Sequence, residues 1–131
     1  MIQLLCHLWG DYAQSSWFAA NKGKRWAATI PHVCVYSVPF FVVSFFGALH
    51  PSATAMMVIL GTHLFIDRFR LARYVAYLKE FLAPPSEWKS WADCSTTGYP
   101  SATPPWLAGW LLIIVDNTMH LTINALSLAY L

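Results

Sequence analysis

The chain has 131 residues, of which 57% are hydrophobic, 16% aromatic and only 11% charged, and its formal net charge is +2. Soluble domains usually carry about a quarter charged residues, so this composition indicates a protein whose solvent is the lipid bilayer. The basic residues cluster in connecting segments and form no extended basic surface, which argues against a nucleic-acid partner. The three cysteines have no C-x-x-C spacing, so neither a disulfide framework nor a zinc knuckle is predicted.

The first predicted helix covers residues 2–20. It lacks the basic start of a signal peptide, and His7, Asp11 and Gln14 interrupt its apolar run, so we expect it to remain in the mature protein. These polar residues leave open whether it crosses the membrane or lies at the interface. The basic residues favour crossing. All eight lie in the segments 22–25 and 68–89, which share one side if the chain spans four times.

The remaining helices are predicted at residues 26–49, 53–82 and 106–131, with a loop at 83–105. The first of these has no formal charge over about two dozen residues, enough to cross a hydrocarbon core of about 30 Å. The sequence therefore predicts an all-α fold, a single integral membrane domain over residues 1–131. This domain is a four-helix transmembrane bundle with one long cytoplasmic loop. We expect it in a bacterial inner membrane with both termini on the non-cytoplasmic face, and a homo-oligomer stays open.

Three pairs of ionisable residues, each four positions apart, lie in these apolar segments: His7 with Asp11, His63 with Asp67, and Asp116 with His120. On a helix, each pair occupies one face. An ionisable group inside a membrane costs about 2.5 to 3.5 kcal/mol on insertion scales, so these positions indicate function.

Depth estimates from the helical rise place most of these side chains, together with His32, at overlapping levels in the membrane. Imidazole and carboxylate groups on facing helices are typical ligands of a divalent ion such as zinc, manganese or iron. We therefore predict a metal site made by His7, Asp11, His63 and Asp67. Three further candidate ligands are His32, Asp116 and His120.

The metal site suggests a metal-dependent hydrolase acting on a lipid or phosphate-containing substrate at the cytoplasmic face. In that hypothesis Asp11 or Asp116 is the base, and Arg68 or Arg70 steers a lipid phosphate. The alternative is a non-catalytic phage or bacterial protein, either an ion or proton conduit or an envelope-modulating interaction protein. Its polar residues would then serve as relay or interhelical contacts. The basic residues would mark topology and touch anionic lipid headgroups.

The order of these residues resembles a family of small bacterial and phage membrane proteins of unknown function. The resemblance rests on Leu5, His7, Leu8, Gly10, Asp11 and Gln14, then Lys22 and His32, then the pairs His63/Asp67 and Asp116/His120. It is also loosely similar to inner-membrane metal-dependent hydrolases that carry histidine and aspartate on membrane helices. The resemblance implies a helical membrane protein and, by analogy alone, metal-dependent chemistry. Asn117 stands where we expect glutamine in relatives.

Overall fold

Seven α-helices and one 3₁₀ turn, with no strand, make up the computed structural model, which describes residues 1–131. In chain order they are α1 (Ile2–Tyr12), α2 (Ser16–Asn21), α3 (Trp26–Phe45), α4 (Ala53–Phe69), α5 (Ala72–Glu80), the 3₁₀ turn (Pro85–Glu87), α6 (Trp91–Cys94) and α7 (Pro105–Tyr130). The all-α prediction is confirmed.

The helix predicted for residues 2–20 is two helices. α1 ends at Tyr12, and α2 begins after Ser15, whose backbone is extended with φ −68° and ψ 149°. Serine is a favoured residue at the position before a helix, because its side-chain oxygen can accept from a free amide of the first turn, although Ser15 makes no such bond here. The Ser15-Ser16 pair is a signal for a helix start that the prediction missed. The connector between α1 and α3 contains a short helix, α2.

Two other predicted boundaries also differ from the structure. α3 ends at Phe45, before residue 49, because Gly47 adopts a left-handed φ of 74°. The Ala48 and Gly47 amides then donate to the carbonyls of Val43 and Ser44, a glycine-dependent helix ending. The helix predicted for 53–82 is broken by Arg70, whose φ of 52° is unusual for a residue with a side chain.

Only α3 and α7 are long and apolar enough to cross a membrane, with mean hydropathies of 1.6 and 1.4. α1 has 11 residues and α4 has 17, about 16 Å and 25 Å of helix. The predicted four-span bundle is therefore not confirmed. The predicted topology placed both basic segments on one side of the membrane because four spans were assumed. With only two candidate spans, the charge distribution no longer supports that topology.

One compact unit comprises residues 1–69 and 120–131. Its apolar core is formed by Cys6, Tyr36, Phe40 and Ile59, with partly buried leucine, valine and methionine side chains around them. α1 packs closely on α3 at Gly10, where an added Cβ would lie 2.7 Å from the Tyr36 carbonyl oxygen. This close approach brings the polar face of α1 against α3.

The second compact unit comprises residues 70–119. Ala76, Tyr99 and Ala108 are its buried apolar residues. Gly98, at φ 87°, lies so close to the α5 backbone that a Cβ would meet the Arg73 carbonyl oxygen at 2.2 Å. The predicted loop 83–105 is thus a folded segment containing the 3₁₀ turn and α6.

Candidate metal centre

The interior of the first unit carries polar residues at helical spacing. His32 lies on α3, His63 and Asp67 lie one turn apart on α4, and all three are buried. Asp11, at the end of α1, has a side chain that is only 4% exposed. The ionisable residues of these helices point into the interior of the unit, so the four side chains meet.

Four donor atoms, one from each of these residues, lie within 4.8 Å of one another. His32 Nε2 is 2.9 Å from Asp67 Oδ2 and 3.2 Å from Asp11 Oδ1. His63 Nε2 is 3.0 Å from the same Asp67 oxygen and 3.1 Å from His32 Nε2. Two imidazole nitrogens and two carboxylate oxygens converging on one point form a donor set that can hold a metal ion.

The donor set fits a divalent ion in two respects. Donors around a tetrahedral zinc ion stand about 3.4 Å apart, so neighbouring atoms here need to separate by only a few tenths of an ångström. Asp67 Oδ2 is buried and has no well-angled hydrogen bond, although two imidazole nitrogens face it within 3.0 Å. A carboxylate oxygen in that position is suited to bind a cation.

Gln14 fixes the tautomer of His32. Its side-chain nitrogen donates to the Gly10 and His32 carbonyl oxygens, so its Oε1 faces His32 Nδ1 at 3.1 Å and must accept a proton from it. Nδ1 therefore carries a proton, and Nε2 is the ring nitrogen that faces the cluster. This arrangement is typical of metal-binding histidines, whose second ring nitrogen is held by a hydrogen bond.

Tyr36 positions the second histidine by stacking. The Tyr36 and His63 ring centroids are 3.7 Å apart with the planes inclined by 16°. His63 Nδ1 is buried and has no hydrogen-bond partner. His63 can therefore offer Nε2 to a metal ion, but its other ring nitrogen lacks the hydrogen bond that holds His32 in place.

Lys22 supplies the positive charge of the cluster. Its Nζ lies 2.8 Å from Asp11 Oδ1, 3.1 Å from Asp67 Oδ2 and 3.4 Å from His32 Nε2. With neutral imidazoles, one ammonium against two carboxylates leaves a formal charge of −1. The cluster therefore retains an attraction for further positive charge.

The other predicted ligands, His7, Asp116 and His120, are not among these four donors. His7 Nδ1 is 3.0 Å from the Tyr36 hydroxyl, which also accepts from the Asn124 amide at 2.8 Å. His120 Nε2 lies 3.7 Å from Oδ1 of Asp67, the second oxygen of the same carboxylate. Asp116 is half-buried on α7, in the part of the chain assigned to the second unit. The predicted ligand roles of these residues stay predictions.

Both predicted phosphate-steering arginines donate to backbone carbonyl oxygens. Arg68 donates to the Gly23 carbonyl oxygen at 3.2 Å, and its guanidinium lies over the Trp26 ring at 4.8 Å. Arg70 donates to the Thr96 carbonyl oxygen at 2.9 Å. Their predicted catalytic roles remain untested.

Sequence reasoning missed the contribution of Lys22 and Tyr36. Lys22 lies in a basic connector, where a lysine normally marks topology, and no pattern in the sequence reports that it folds back onto Asp11. Tyr36 is one turn after His32 on the apolar helix α3, and this i, i+4 spacing was an available signal.

A model of the family described as a protein of unknown function (DUF3307) matches residues 1–95. The matched region contains Asp11, Lys22, His32, His63 and Asp67 and ends before α7. This finding agrees with the predicted resemblance to a family of unknown function, and it carries no information on a membrane or a hydrolase. No curated protein and no solved structure matches the chain.

Proposed function

The chain belongs to the DUF3307 family, and from its own residues we propose that it is a membrane-embedded protein that binds a divalent metal ion. The proposed ligands are Asp11, His32, His63 and Asp67. The observation that carries this proposal is the convergence of their four buried donor atoms within 4.8 Å. Nitrogen and oxygen donors without sulfur favour zinc, manganese or iron as the ion.

The membrane part of the proposal rests on the distribution of polarity. Large apolar side chains face outward on α1 and α3, including Leu5, Trp9, Phe41 and Phe45, with exposed fractions of 52%, 67%, 59% and 85%. In contrast, the ionisable side chains of the interior are at most 4% exposed: His7, His32, His63, His120 and Asp67. Apolar side chains outside and ionisable ones inside are suited to a protein surrounded by lipid.

A conduit has less support than a metal site. The polar interior continues from His63 to Tyr36 and Asn124, but the next turn of α3 brings Phe40. Phe40 and Ile59 are both fully buried in the apolar core. A polar path for ions or protons would have to cross this layer, so the polar interior is better suited to retain an ion than to pass one.

The more specific hypothesis is that the metal site hydrolyses a lipid phosphate. A hydrolytic metal ion keeps one coordination position for water, whereas four protein ligands would fill a tetrahedral shell. With a tetrahedral zinc ion, hydrolysis would therefore require that one ligand, such as Asp11, leave the ion and act as the base. Arg68 and Arg70 donate to backbone carbonyl oxygens and no contact supports a phosphate-steering role, so we rank metal binding above catalysis.

The test of metal binding is elemental analysis by mass spectrometry of the detergent-purified protein. We expect about one transition-metal ion per chain in the wild type. We expect almost none in the double variant His63→Ala, Asp67→Asn, because it removes two of the four donors. A folded wild type without metal after growth in metal-supplemented medium would favour the metal-free alternative, a network of ion pairs between helices.

The membrane location is tested at Cys34, an exposed thiol on the apolar helix α3. Burial raises the pKa of the Cys94 thiol, and Cys6 is also buried, so both contribute little background labelling. We expect Cys34 in native membranes to resist a charged maleimide and to react after denaturation. A new thiol from His50→Cys, in the exposed turn after α3, is the matched control and should react directly. Equal labelling of both positions would contradict a lipid-facing α3.

A further inference from the structure

Lys22 occupies the position from which a cation neutralises the cluster, and we propose that it is a tethered counter-ion that a metal ion must displace. This inference rests on the proposed function, because it describes how the same metal site is filled. It assigns to the protein two exclusive states. In one, the Lys22 ammonium bridges the two carboxylates. In the other, the metal ion holds them and Lys22 has withdrawn.

The contacts of Lys22 show why the two cations exclude each other. Its ammonium lies 2.8 Å from Asp11 Oδ1 and 3.1 Å from Asp67 Oδ2, which are two of the four proposed metal donors. It also lies 3.4 Å from His32 Nε2, a third donor. A metal ion binding the same three atoms would meet the ammonium at close range, where like charges repel strongly in a buried site.

Charge also favours the exchange. The ammonium offsets one of the two carboxylate charges, whereas a divalent ion offsets both. The Lys22 ammonium has three N–H donors, so it cannot bond to two imidazole nitrogens and two carboxylates at once. A metal ion can bind all four. The metal-bound state is therefore the better match for the complete donor set.

The attachment of Lys22 permits withdrawal. Its side chain is 17% exposed, while those of Asp11, His32 and Asp67 are at most 4% exposed. It follows directly on α2, a six-residue helix with no buried residue. The main fixed contacts are made by the backbone, since the Lys22 amide donates to Phe18 and its carbonyl accepts from Thr29. The long side chain can thus move outward while the connector keeps its place.

The test is the affinity for zinc of the full chain in detergent, measured by competition with a chromophoric chelator. Lys22→Met keeps an unbranched side chain only one atom shorter and removes the competing charge, so we expect it to bind zinc at least tenfold more tightly than the wild type. Lys24→Met is the matched control. It removes an exposed charge from the same connector, and the affinity should stay within twofold of the wild type.

A second readout covers the case in which Lys22→Met folds poorly. Without metal, its two carboxylates lack a counter-ion, so its melting temperature should be lower than that of the wild type. Zinc should then raise the melting temperature of Lys22→Met more than that of the wild type. A variant recovered in folded form only with zinc would agree with the same inference.

The outcomes separate this inference from the proposed function. If the wild type binds zinc and Lys22→Met binds it equally or more weakly, the counter-ion exchange is wrong and the metal site stands. If neither protein binds zinc or gains stability from it, both are wrong. If Lys22→Met alone binds zinc, the exchange is supported and Lys22 dominates in the wild type.

Discussion

Asp67→Asn is expected to lower the free energy of unfolding of the metal-free protein by about 3 to 5 kcal/mol, the range measured when one partner of a buried ion pair is removed. The Asp67 side chain is 2% exposed, and its Oδ2 lies within 3.1 Å of Lys22 Nζ and of both ligand histidines. Asparagine keeps the shape but removes the charge, so the Lys22 ammonium is left with Asp11 alone.

The measurement is thermal or denaturant unfolding in detergent with a chelator present. Glu87→Gln is the matched control because Glu87 is exposed in the 3₁₀ turn, and we expect a change within about 0.5 kcal/mol. An Asp67→Asn protein as stable as the wild type would mean that repulsion between Asp11 and Asp67 cancels their attraction to Lys22. The ion-pair cluster would then not hold the helices together.

Gly10→Ala is expected to destabilise the protein by about 1 to 3 kcal/mol, the usual cost of overpacking a close contact. The new Cβ would lie 2.7 Å from the Tyr36 carbonyl oxygen and 2.8 Å from its ring carbon Cδ2. Because backbone cannot rotate away as a flexible side chain can, α1 must move off α3. Asp11 is the next residue on α1, so its carboxylate would leave the donor set and zinc affinity should fall.

Gly61→Ala is the matched control for Gly10→Ala. Gly61 is an exposed glycine on α4, the helix of His63 and Asp67, and nothing lies within 4 Å of an added Cβ. Alanine is the better helix former, so we expect an unchanged or slightly higher stability, by up to about 1 kcal/mol. If both substitutions have the same small effect, the close contact between α1 and α3 does not position Asp11.

The fold class could be predicted from composition, because long uncharged segments leave helices as the simplest way to satisfy the backbone. The positions at which the helices end and begin could be predicted less well. The Ser15-Ser16 pair and Gly47 are recognisable signals for a helix start and a helix end. Arg70 is not, because arginine has no preference for the left-handed backbone it adopts, and the structure alone reveals the break between α4 and α5.

Helical spacing identified the interior residues because an ionisable side chain on an apolar helix turns away from lipid. This reasoning drew attention to Asp11, His63 and Asp67, and to His32 as a further candidate, and the structure brings all four together. It could not separate His7 from them. Spacing puts His7 on the same face as Asp11, but one turn of helix moves it to the level of Tyr36, whose hydroxyl lies 3.0 Å from His7 Nδ1.

Helical spacing cannot predict contacts made by the segments that connect helices. The i, i+4 rule applies within one helix, whereas Lys22 reaches Asp11 across 11 residues and a change of chain direction. Gln14, just beyond the end of α1, reaches His32 across 18 residues. Both contacts depend on the break between α1 and α2, which was itself missed, so the boundary error concealed the contact between Lys22 and the site.

X-ray absorption spectroscopy at the zinc edge of the zinc-loaded protein is the most direct measurement of the central claim, that two imidazoles and two carboxylates hold one ion. We predict a first shell of nitrogen and oxygen atoms only, with imidazole scattering from two histidines that falls to one in His32→Ala. A sulfur ligand from a cysteine, or imidazole scattering that His32→Ala leaves unchanged, would contradict it.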